Sequence, residues 1–137
     1  MKLTRCECFL VMGVPVAGNP KKISQLEVLS LKGEKFEVAG NTFYIHKAVY
    51  GKTKKNKEVD YSISNEDYII TEANTGMRVC ECHGGELHKE QQLDKFVKMA
   101  KQKATNIACA SLSSNVESNV KLMTAAKNGE LAYIKLR

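Results

Sequence analysis

Two identical Cys-Glu-Cys triplets, Cys6-Glu7-Cys8 and Cys80-Glu81-Cys82, are the sharpest chemical feature of the sequence. Alternate residues of an extended chain share a face, so each triplet offers two sulfurs to one side. If the two strands were neighbours, Cys6, Cys8, Cys80 and Cys82 could surround one Zn²⁺, and His83 could replace one sulfur. Zinc is the cofactor this arrangement would take. One intervening residue splays the sulfurs, however, where structural zinc sites mostly use a spacing of two or more. The competing reading is of buried thiols serving as small apolar side chains.

The next candidate is His83-Gly84-Gly85-Glu86-Leu87-His88. Two imidazoles and a carboxylate close together could do acid–base work or bind a metal, and the segment precedes a helix N-terminus, which favours anions. No His-Glu-x-x-His pattern is present, and a plain strand-to-helix connection accounts for the composition. A cysteine nucleophile would need His46, His83 or His88 as its base, and no cysteine-protease signature surrounds any of the cysteines. Phosphate-binding loops, dinucleotide fingerprints and nucleophile elbows are missing too. The sequence therefore assigns no catalytic residues and favours a protein that is not an enzyme.

The third feature is charge. Lys52, Lys54, Lys55 and Lys57 fall within Gly51–Lys57, a stretch with no apolar side chain. Further on, Lys95, Lys98 and Lys101 occupy one face of a helical pattern. The formal net charge is +6, which suits an acidic partner. Tyr44, Tyr50 and Tyr61 lie nearby in sequence, as a surface for single-stranded nucleic acid would need. Arginine is confined to Arg5, Arg78 and Arg137. Base reading and bidentate phosphate binding lean on arginine, so a protein partner is favoured over nucleic acid, with nonspecific backbone contact as the alternative.

The elements that must position these residues follow from periodicity. Lys2–Val14 is apolar enough for a central strand, followed by a loop over Pro15–Lys22. Ile23–Leu31 reads as a strand broken at Gly33. Lys35–Val38 and Thr42–His46 flank the Ala39-Gly40-Asn41 turn. Val59–Ile63 alternates, and Ser64-Asn65-Glu66 turns the chain. Asp67–Glu72 and Met77–Cys82 are strands joined by Asn74-Thr75-Gly76. From Lys89 to Ala104, the residues Leu93, Phe96, Val97, Ala100 and Ala104 form one apolar stripe at helical period. Thr105–Leu112 reads equally as helix or short strand. Ser113-Ser114-Asn115 caps a second helix that faces Val116, Val120, Met123 and either Ala126 or Ala125 inward and stops at Asn128-Gly129. Leu131–Leu136 closes the chain as a strand. Strands followed by helices predict an α+β fold: an antiparallel β-meander with two helices packed on it and a short C-terminal strand.

At 137 residues, 43% apolar and 26% charged, the chain predicts one soluble domain spanning 1–137. No apolar run is long enough to cross a membrane. Five cysteines, an odd number, fit a reducing cytoplasm better than a secreted setting. Lys2 and Arg5 before Phe9–Ala17 imitate a signal peptide, but Glu7 and Pro15 argue for a buried first strand.

Over Phe43 to Ala104 the layout resembles small uncharacterised proteins of phages and other bacterial mobile elements. In these, a Phe-x-x-His-Lys strand precedes a Thr-Glu-x-x-(Ser/Thr)-Gly strand end and a lysine-rich helix. The matching residues are Phe43, His46, Lys47, Thr71, Glu72, Thr75, Gly76 and Lys89. The resemblance implies a compact accessory protein with a host-interaction role and brings no catalytic residues. The expectation is a small cytoplasmic binding or regulatory protein engaging an acidic macromolecule, with zinc binding and nonspecific nucleic-acid binding as alternatives.

Overall fold

The computed structural model describes residues 2–38, 40–56, 58–82, 89–102 and 116–136; the side chains of Pro20, Lys21, Ser24, Cys82, Ala100, Lys101, Gln102 and Val116 lie outside that description. Among the described residues the chain forms strands β1 (Thr4–Val16), β2 (Asn19–Val38), β3 (Asn41–Thr53), β4 (Val59–Glu72), β5 (Arg78–Cys82) and β6 (Ile134–Lys135). Two helices accompany them, α1 (Lys89–Gln102) and α2 (Val116–Lys127). With 59% in strands and one curled, half-barrel sheet, the protein is mainly β. This corrects the α+β meander with two packed helices that the order of strands and helices suggests.

The correction has a local cause: strands run through residues that look like breaks. Gly33 sits in the middle of β2 rather than ending it. A Cβ there would lie 2.7 Å from both the Cys8 sulfur and the Ile45 carbonyl oxygen. Glycine is used for the close approach of β1 and β3, not for a turn. Ser64-Asn65-Glu66 likewise does not reverse the chain. Val49 pairs with Ile63 and Lys47 with Tyr68, so the residues between bulge out of β4 and the strand continues. The Ser64 hydroxyl accepts from the backbone N–H groups of Glu66 and Asp67, at 3.2 and 3.0 Å. The loop expected over Pro15–Lys22 shrinks to Ala17-Gly18, with Gly18 at φ 80°.

Strands β1 to β5 each pair antiparallel with the next. β1 follows β2 from Asn19 to Lys35, whereas β3 joins β2 only over Glu34–Val38. β2 therefore passes from one ladder into the other, and the sheet curls there. Cross-links close the curl. Val11 N donates to the Gly76 carbonyl at 2.8 Å, the Thr53 hydroxyl donates to the Pro15 carbonyl, and the Tyr61 hydroxyl donates to Glu27 Oε2 at 2.9 Å. The C-terminal segment adds β6 parallel to β2, with Ile134 opposite Leu29.

Two cores result. One gathers Cys8, Leu10, Val28, Leu29, Leu31, Tyr44 and Val49 with Met123 and Ala126 of α2. The other places Leu93 and Phe96 of α1 on Phe36, Val38, Phe43, Ile45 and Ile70. Phe96 stands edge-on to Phe43 and Phe36, with centroids 4.9 and 5.9 Å away, a favoured aromatic geometry. Among the described residues no helix is long and apolar enough to cross a membrane.

Candidate interaction surface and buried thiol pair

The curl brings the tips of the two long hairpins together. Lys52 ends β3 beside Thr53, and Lys54 and Lys55 follow in the turn, where Lys54 N donates to the Glu58 carbonyl at 2.8 Å. Because Thr53 bonds Pro15, this tip lies against the tip of the β1–β2 arm, close to Lys22. Lys22, Lys52, Lys54 and Lys55 are all exposed. Two acidic residues temper the end: Glu58 is exposed in the same turn, and Asp60 Oδ2 lies 3.4 Å from Lys54 Nζ, with the Lys54 and Asp60 side chains both open to water. An exposed pair of this kind contributes little, so the end stays basic. Lys57 lies outside the described residues.

Apolar groups adjoin this end. Ile23 is 61% exposed and Leu26 46%. Ile23 crosses the face of Gly13, where a Cβ would come within 2.5 Å of its side chain. Leu26 also borders a groove of about 350 Å³ lined by Val28, Leu122, Leu131, Tyr133 and Ile134.

The helix lysines stand elsewhere. Lys95 and Lys98 are exposed on α1, which rests on Phe43 and Ile45 at the other end of β3 from Lys52 and Thr53. Lys101 belongs to the same helix, its side chain outside the description. Lys89 is ion-paired with Glu34 of β2.

The cysteine triplets separate in the same way. Cys6 and Cys8 lie on one face of β1, with sulfurs 3.9 Å apart. Cys8 is fully buried, and burial together with the adjacent Cys6 sulfur raises its thiol far above the ordinary range. Cys80, on β5 opposite Ile70, packs into the α1 core instead. The Cys82 backbone pairs with Tyr68. The Cys82 side chain and the whole of His83–His88 lie outside the description, as do Cys109 and the expected Ser113-Ser114-Asn115 cap. Among the described residues no three of His, Cys, Asp and Glu are grouped as a metal site.

Tyr44 and Lys127 adjoin the Cys6–Cys8 pair. Burial, then the fields of Cys6, Cys8 and Glu72, push the Tyr44 phenol up to about 12. Lys127 Nζ sits 5.8 Å from the Tyr44 ring centroid and 6.0 Å from that of Phe9, and donates to the Ala73 carbonyl at 3.1 Å. Desolvation lowers the Lys127 pKa, against the opposing pull of Glu72 and Cys6.

His46, Thr71, Glu72 and Thr75 are buried polar residues that serve the architecture. His46 is 2% exposed, with Nδ1 2.8 Å from the Lys47 carbonyl and Nε2 2.7 Å from the Thr71 hydroxyl. A carbonyl can only accept, so Nδ1 carries the proton and Nε2 receives one from Thr71. Burial depresses the His46 pKa, which keeps the ring neutral in that role. Glu72 Oε2 accepts from the Thr75 backbone at 2.6 Å and its hydroxyl at 2.8 Å, fixing the turn in which Gly76 adopts φ 68°.

Sequence reasoning did not single out Lys22, Ile23 and Leu26, which are exposed near the β1–β2 turn. Lysine next to the Gly18-Asn19-Pro20 turn was a visible sign of a basic tip, but the approach of that hairpin to Thr53 depends on the curl. Comparison of the chain with protein-family models, curated proteins and solved structures gives no match.

Proposed function

We propose that the protein is a small binding module that engages an acidic surface of another protein through the joined tips of its two long hairpins. The observation that carries this reading is the meeting of the tips at Thr53 and Pro15, at an end where Lys52, Lys54 and Lys55 are exposed and where Pro15 pairs with Ile23, the chain neighbour of exposed Lys22. The Tyr61–Glu27 bond braces the same end from within. A pre-braced surface loses less conformational entropy on binding than separate lysine side chains on free loops. Exposed Ile23 and Leu26 beside the lysines favour a protein over a phosphodiester backbone, because protein interfaces join an apolar centre to a charged rim. An odd number of cysteines, five, suits a reducing compartment such as the cytoplasm.

The test compares two probes of equal charge in low salt: an acidic peptide carrying leucines, and a single-stranded oligonucleotide. The reading expects tighter binding to the peptide, weakened by Leu26→Ser. Equal or tighter binding to the oligonucleotide, falling steeply with salt, would replace it with backbone binding of nucleic acid.

A further inference from the structure

We propose that Cys6 and Cys8 form a two-sulfur site for a soft monovalent cation, Cu(I), on the inner face of β1. The sulfurs stand 3.9 Å apart on alternate residues of one strand. Two metal–sulfur bonds of about 2.3 Å reach at most about 4.6 Å end to end. A cation therefore seats between the sulfurs after side-chain adjustments of a few tenths of an ångström. The ladder to β2 holds both positions, with Cys6 opposite Gly33 and Cys8 opposite Leu31. Gly33 matters directly, since it leaves room for the Cys8 sulfur where a side chain would collide with it.

The surroundings select the ion. Leu10, Leu31 and Tyr44 make the pocket apolar, which favours a weakly hydrated ion over Zn²⁺ or Mg²⁺. Soft thiolate ligands take Cu(I), zinc or iron–sulfur clusters, and a set of two sulfurs suits Cu(I) among these. Among the described residues no third His, Cys, Asp or Glu joins the pair. Cu(I) is satisfied by two sulfurs, whereas structural zinc takes four ligands. Binding displaces one proton from each thiol and moves no electron. The resulting centre carries one net negative charge. The Lys127 ammonium, whose field reaches Cys6, offsets part of that charge, while the carboxylates of Glu34 and Glu7 add to it. Cys6 is only partly buried and opens a path for the ion, while Cys8 is fully enclosed.

The experiment is an anaerobic competition between reduced full-length protein and a chromogenic Cu(I) chelator. The expected result is one copper withdrawn per chain, with a thiolate-to-copper absorption band in the ultraviolet. Cys6→Ser, which changes a part-exposed side chain, is expected to weaken binding more than about 100-fold, beyond the loss typical of a supporting residue. Its melting temperature should match the parent. Cys80→Ser is expected to bind copper as the parent does. If the chelator keeps the metal, or if Cys6→Ser competes as well as the parent, the proposal is overturned. Loss of binding in Cys80→Ser with retention in Cys6→Ser would equally overturn it, by moving the site to the other triplet.

Discussion

The Thr53 hydroxyl donates to the Pro15 carbonyl, joining residues that lie at the tips of two different hairpins. Nothing local to either tip requires the contact. It follows from the curl of the sheet, and it brings the tip that carries exposed Lys52, Lys54 and Lys55 against the β1–β2 hairpin. Thr53→Val keeps the shape and removes the donor. The expected cost in stability is about 0.5–1.5 kcal/mol, that of one hydrogen bond. Affinity for an acidic peptide should fall as the tips separate, while affinity unchanged in a folded variant would show that the tie is only structural.

Phe96 anchors α1. Its ring is fully buried against Phe36 and Phe43. Phe96→Ala is expected to destabilise the protein by about 3–5 kcal/mol, from lost transfer energy and the cavity left behind. Urea unfolding measures this, and a loss below about 1 kcal/mol would mean that the helix is not seated as described.

Gly33 tests the approach of the strands. A methyl group there would lie 2.7 Å from the Ile45 carbonyl oxygen, a backbone atom that cannot rotate away, and equally close to the Cys8 sulfur. Gly33→Ala should cost about 1–3 kcal/mol, as overpacking does. An alanine in an ordinary central strand would instead stabilise relative to glycine. A rise in melting temperature for Gly33→Ala would therefore contradict the crossing.

His46 gives the fold a pH dependence with a definite sign. Burial lowers its folded-state pKa beneath the ordinary value of 6.5. The unfolded chain therefore takes up a proton near pH 6.5 that the folded chain refuses. This part of the stability is intact above pH 6.5 and is lost as pH falls from there through the depressed folded value. Melting temperatures of the parent and His46→Gln between pH 8 and pH 5 check it. The parent should lose more stability than the variant across that window, and parallel curves would contradict the buried neutral ring.

Much of the fold was legible where a local signal sufficed. The Gly40 and Gly76 turns were readable, and both glycines adopt positive φ, at 81° and 68°. The inward face of α2 was also readable from its period, since Met123 and Ala126 are buried. Gly33 and Ser64-Asn65-Glu66 misled because glycine at a close crossing and serine in a bulge look the same in sequence as they do in turns. Those two readings shortened β2 and β4 and tilted the fold class toward α+β. For the site, alternation showed that Cys6 and Cys8 share a face. It could not show that β1 lies in one core and Cys80 in the other. The lysines of Gly51–Lys57 were visible, whereas the contact of Thr53 with Pro15 is tertiary.

The measurement closest to the central claim is the affinity of a leucine-containing acidic peptide for the parent protein and for the triple variant Lys52→Glu, Lys54→Glu, Lys55→Glu. These side chains are exposed, and only Lys54 has an ion pair among the described contacts, itself open to water. The variant is expected to melt within about 0.5 kcal/mol of the parent, as surface substitutions do. Binding should be lost in the variant and, as a control, retained in Lys95→Glu, Lys98→Glu. Equal affinity of the folded triple variant and the parent would contradict the basic end as the binding surface.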